Sequence, residues 1–194
     1  MKKRVLTIAL STILALGLIV AGTLAYMTAT APALTNTFTV GDIETGLDEP
    51  LFPPPRTAKL YPGAEVGKDP TVTVKANSEK SYIYMLLENN LNFTFGDPVQ
   101  NAITLNIDST NWTEIATNQS GSRKLYAYKA PVDTAATDQA LPALFTKVTV
   151  NPALTSANID GLNNKTIDIG AFAHQADAVS EADANAAAKA HFGF

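Results

Sequence analysis

Cysteine is absent from the 194 residues. That excludes disulfides, zinc–thiolate and iron–sulfur sites, and all thiol chemistry. An exported domain built this way is held by its core and its sheet hydrogen bonds alone. Histidine is scarce: His174 and His191 are the whole supply, and no HExxH pair occurs. A hydrolytic metal centre needs two or three imidazole or carboxylate ligands converging beside a base. The two histidines are therefore expected to be surface or partly packed side chains, and no catalytic residue, metal ligand or cofactor is assigned. Basic residues are also few, 14 against 18 acidic ones, for a formal charge of −4 with no Lys/Arg stripe. Nucleic acid, whose backbone demands positive charge, is not an expected partner.

Other chemical signatures are missing too. Ser120-Gly121-Ser122 lies in turn-like sequence and lacks the strand–turn–helix setting of a nucleophile elbow. Asp42, Glu44, Asp48 and Glu49 form one acidic group, and Asp177, Glu181 and Asp183 another, but no DxDxDG loop is present. They read as solvated acids, with loop-bound calcium as the alternative.

What the chain does have begins at its N-terminus. Lys2, Lys3 and Arg4 precede a run from Val5 to Ala21 that is apolar apart from Thr7, Ser11 and Thr12. Basic head, apolar centre and small-residue exit are the features of an export signal. Thr23 and Ala25 suit the −3 and −1 positions of a signal-peptidase site, so cleavage is expected after Ala25, with a cut after Tyr26 as the alternative. An uncleaved anchor is the competing reading, and no stop-transfer charge cluster follows the run. Residues 1–25 are thus read as signal peptide and 26–194 as one secreted domain, long enough for a real core. Loss of the three basic residues takes its formal charge from −4 to −7. The membrane enters only through the signal before cleavage, and signal peptidase is the partner during export.

Beyond the signal, apolar residues recur at period two, the mark of half-buried strands. Alternating segments are expected at Leu34–Val40, Ile43–Leu47, Thr71–Ala76, Ile103–Ile107, Trp112–Ala116, Lys124–Lys129, Leu144–Val150 and Thr166–Ala173. In Leu144–Val150, Phe145 and Lys147 are expected on one face. Ser81–Glu88 is the most apolar run and reads as a central strand. Tyr61-Pro62-Gly63, Asn77–Lys80, Asp108–Asn111 and Gln119–Ser122 read as turns. Prolines 53–55 mark a stiff surface loop, because proline lacks the ladder donor. Residues 131–143 are left between short helix and loop. SEADANAAAKAHF is expected to form a short C-terminal helix capped by Ser180 or Asp177, docked through alanines or frayed. Eight to ten short strands with no alternating helices predict an all-β fold, a two-sheet β-sandwich or jelly roll, with an N-terminal signal helix and a short C-terminal helix.

Tyr82 with Tyr84, and Tyr126 with Tyr128, each share a strand face, which cross-strand packing explains without a carbohydrate ligand. Four Asn-x-Ser/Thr matches, at Asn92, Asn111, Asn118 and Asn164, carry little weight in a chain rich in these residues. The segment Met27–Val40 is uncharged, threonine-rich and strand-prone. Released from a signal, it is either a free end that adds to an open sheet edge of another subunit or the first strand of its own domain. Under the first reading Thr35, Thr37, Phe38 and Val40 are the strand-donating residues.

The run GTLAYMTATAPALTNTFTVGDIE at Gly22–Glu44 resembles the signal exit and first strands of exported proteins processed by a SipW-type signal peptidase, the TasA/camelysin family. Gly22, Thr23, Ala25, Tyr26, Asn36, Phe38 and Gly41 carry the likeness, which extends to Tyr61-Pro62-Gly63 with its TVTV strand and to Ile169–Ala176. The resemblance implies a jelly-roll-like domain, an extracellular-matrix or cell-surface location, and assembly into biofilm fibres by donation of the N-terminal strand to identical or homologous matrix subunits. Some members are named metallopeptidases, but no zinc motif accompanies that name here. A structural protein is the leading expectation, a monomeric surface adhesion or binding module the second, and a metallo-endopeptidase the third.

Overall fold

The computed structural model describes residues 43–52, 58–90, 102–134, 136–155, 162 and 164–194. The expected signal, the cleavage pair Ala25 and Tyr26, and Thr35, Thr37, Phe38 and Val40 all lie outside these residues, as do prolines 53–55.

Ten strands and one helix make up the described chain. The strands are β1 (Thr45–Asp48), β2 (Glu65–Gly67), β3 (Thr71–Val74), β4 (Ser81–Asn89) and β5 (Ile103–Leu105). They continue as β6 (Trp112–Thr117), β7 (Arg123–Tyr128), β8 (Gln139–Ala140), β9 (Lys147–Val150) and β10 (Ile167–Gln175), and the helix α1 spans Glu181–Phe192. The fold is all-β, as expected. Hydrogen bonding groups the strands into three antiparallel sheets, ordered β1-β3-β8, β10-β4-β7-β6 and β2-β9-β5.

The four-stranded sheet is covered on both faces, which is why β4 reads as a continuous apolar run. Ile83, Met85 and Leu87 point into the main core with Val72 and Val74 of β3 and Val148 and Val150 of β9. Tyr84, Leu125 and Ala127 face the other way, onto Ala184 and Ala188 of α1. Alanine at those two helix positions lets the backbone approach closely, and both are fully buried. Each large, fully buried apolar side chain contributes roughly 1.5–3 kcal/mol. Val40–Phe194 forms one compact unit. Among the described residues both core clusters are drawn from Leu60 to Phe194.

Local signals did their expected jobs. Ala64 N donates to Tyr61 O at 2.9 Å across the Pro62-Gly63 corner, where Gly63 takes φ +80°. Asp108 accepts from the backbone N of Thr110 and of Asn111 at 3.0 and 3.3 Å, closing its turn. Ser180 is the N-cap of α1, accepting from Asp183 N, and Gly193 ends the helix in the left-handed region.

Residues 131–143, left between short helix and loop, are loop in their described part apart from two-residue β8 on the edge of β3 and a bridge from Val132 to Ser81. One expectation is corrected. The strand expected at Leu144–Val150 begins only at Lys147. Ahead of it the chain leaves extended geometry, so Leu144 and Phe145 are both buried instead of lying on opposite faces.

Candidate functional site

β1 and β10 are edge strands of different sheets that lie against each other. Between them and β2 opens a cavity of about 460 Å3. Leu47, Val66, Ile103, Val148, Ile167 and Ile169 form its hydrocarbon walls. Thr166, Asp168 and Lys165 are exposed on its lining.

The polar part of the lining is an ion pair. Lys68 Nζ donates to Glu49 Oε1, and each residue is only 7% exposed. Local structure sets this up. After β1 the chain turns, with Phe52 N donating to Glu49 O at 2.9 Å and Leu51 N to Asp69 Oδ1 at 2.6 Å. The turn therefore sits on the segment joining β2 to β3, which presents Lys68. Phe52 lies with its ring centroid 5.2 Å from Lys68 Nζ, adding a cation–π contact. Glu49 is thus not a solvated acid, as its place in the acidic group led one to expect. Burial of Lys68 had no local signal beyond its position one residue past the Glu65-Val66-Gly67 strand.

Among the described strands, nine-residue β10 pairs with β4 alone and β1 with β3 alone. β10 carries neither proline nor lysine nor a bulge, the usual means of blunting an exposed edge.

The sequence-level candidates for chemistry are dispersed. His174 lies within β10, not beyond the last strand, and its Nδ1 is 2.9 Å from Gln175 O. His191 stacks on Phe172 with ring centroids 4.4 Å apart, and His174 is 6.2 Å from the same ring. The two histidines therefore meet on a phenylalanine. Ser120 and Ser122 hydroxyls bond each other at 2.8 Å. Of the first acidic group, Asp42 lies outside the described residues, Asp48 accepts from Glu49 N and Glu49 is held by Lys68. Glu181 and Asp183 occupy the first turn of α1. Among the described residues no three His, Cys, Asp or Glu side chains group as a metal site.

Tyr82 and Tyr84 pack on the α1 face of the four-stranded sheet, whereas Tyr126 and Tyr128 pack on the core face. Tyr128 meets Trp112 edge-on at 5.2 Å. Burial, helped by the nearby Glu181 carboxylate, pushes the Tyr84 phenol up to about 12. Burial raises Tyr126 as well, with Glu114 adding to the shift.

Comparison with family models, with curated proteins and with solved structures yields no match.

Proposed function

We propose that this chain is an exported structural protein of the TasA/camelysin type, secreted to the extracellular matrix or cell surface and assembling by addition of its N-terminal strand to a neighbouring subunit. The observation that carries this reading is the edge strand β10: nine residues long, without proline, lysine or a bulge, and paired with β4 alone among the described strands. Such an edge is a template for another extended chain, and a repeating partner satisfies it in every subunit but the last. Thr35, Thr37, Phe38 and Val40 belong to an uncharged, strand-prone segment suited to that role, lying beyond the expected cut after Ala25 or Tyr26. In this reading the four-stranded sheet forms one layer of a jelly-roll-like sandwich and the two three-stranded sheets form the other. One core cluster joining all three sheets supports it.

Electron microscopy of residues 26–194 beside residues 41–194 tests the proposal. Filaments from the longer chain and none from the shorter are expected, and two equally monodisperse monomers would overturn it. A second reading, a monomeric surface-binding module, is favoured by the cavity between β1 and β10.

A further inference from the structure

We propose that the cavity between β1, β2 and β10 binds a small aliphatic molecule with a single neutral hydroxyl head, the head seated on the Glu49–Lys68 pair. Its volume, about 460 Å3, falls within the ~300–1,000 Å3 typical of small-ligand pockets. At roughly 30 Å3 per water-sized group it has room for about fifteen heavy atoms. The composition is that of a ligand site: hydrocarbon walls from Leu47, Val66, Ile103, Val148 and Ile169, one buried polar pair, and exposed polar side chains at Lys165, Thr166 and Asp168.

The buried pair selects the head group. Glu49 and Lys68 are more than nine-tenths buried and neutralise each other. A third full charge beside this buried pair would be desolvated, with a carboxylate facing Glu49 and an ammonium facing Lys68, while the other charges on the lining, Lys165 and Asp168, are exposed and stay solvated. A hydroxyl meets both. Its oxygen accepts one of the lysine protons not directed at Glu49 Oε1, and its proton is donated to the glutamate. The pair also joins the chain after β1 to the chain after β2, which belong to different sheets. A pair serving only as that brace would be expected to have protein on every side, whereas this one lines a cavity whose other polar side chains, Lys165, Thr166 and Asp168, are exposed.

The test uses the monomeric fraction of 15N-labelled residues 26–194, isolated by size exclusion, so its outcome is separate from that of the filament experiment. Octan-1-ol, octanoate and octylamine are titrated and amide shifts followed. Octan-1-ol is expected to give saturable shifts centred on Val66, Lys68, Ile103 and Ile169, with the two charged analogues at least about tenfold weaker. Val66→Trp, which fills the cavity, should abolish the shifts while circular dichroism reports an intact fold. Glu49→Leu/Lys68→Met removes both hydrogen-bond partners of the hydroxyl and should weaken octan-1-ol binding about tenfold, with no rescue of the charged analogues. Absence of saturable shifts in the unmodified protein, shifts centred elsewhere, or equal binding of the three probes would each overturn the proposal.

Discussion

Phe192 of α1 lies directly over Gly170 of β10: a Cβ on Gly170 would stand 3.1 Å from Phe192 Cε1 and 3.5 Å from Leu86 Cβ. The missing side chain is what lets the helix end close onto the sheet. Around it, Arg123 donates to Phe192 O at 2.5 Å and stands 5.2 Å from the Phe194 ring. Gly170→Val should therefore destabilise the fold by about 1–3 kcal/mol through overpacking, and Gly170→Ala by less, since only the ring edge must move. Urea denaturation followed by the fluorescence of Trp112, the sole tryptophan, measures both. Combining Gly170→Val with Phe192→Ala should recover part of the loss, because the two positions share one contact.

Breaking the Glu49–Lys68 pair has a different signature. Lys68→Ala leaves a buried carboxylate without its partner and should cost about 3–5 kcal/mol. Replacing both residues, as Glu49→Leu/Lys68→Met, removes the uncompensated charge and should restore most of that stability. Equal destabilisation by the single and double variants would contradict this account.

Alkaline pH should unfold the protein through its buried phenols. Tyr84, raised to about 12, and Tyr126, raised too, hold their protons more tightly folded than unfolded, where tyrosine titrates near ~10. Their contribution is complete below pH ~10 and is lost as pH rises through the folded value. In a phenolate absorbance titration these two tyrosines should ionise together with the unfolding transition. The Tyr84 hydroxyl has no hydrogen-bond partner among the described residues, so Tyr84→Phe should cost little and shift alkaline unfolding upward.

The acid limb runs the other way. A side-chain bond from Lys75 holds the Asp138 carboxyl below its usual range, and one from Asn111 does the same for Asp108. For Glu114 burial pushes upward, but bonds from Lys124 and Thr117 together outweigh it. Stability from these groups is present above their unfolded values near ~4 and lost as pH falls through the lower folded ones. The urea midpoint should decline between about pH 5 and pH 2, less steeply in Asp138→Asn, whose baseline is already lower.

Ser180→Ala removes the acceptor for Asp183 N at the start of α1. A loss of about 1 kcal/mol is expected. Amide exchange should quicken across the first turn of α1 ahead of the β4 amides.

Features that depend on a few neighbouring residues were legible in the sequence. Period-two runs marked β3, β7 and β10, a continuous apolar run marked β4, Pro62-Gly63 marked a turn, and Ser180 with an alanine-rich run marked α1. In each case one stretch of chain contains both the signal and the groups it satisfies. Tertiary structure alone decided the rest. Two-residue β8 has no period to read and exists because β3 supplies backbone partners, with Leu141 N then bonding Val72 O at 2.9 Å. Leu144 and Phe145 share burial because the chain bends there, Leu144 N donating to Pro70 O at 3.1 Å. Glu49 read as a solvated acid, and nothing near Lys68 foretells its burial. Only the packing of two sheets brings these residues, 19 apart in sequence, together beside a hydrocarbon cavity. A charge is sheltered by its partner, and partnership across sheets is a property of the fold.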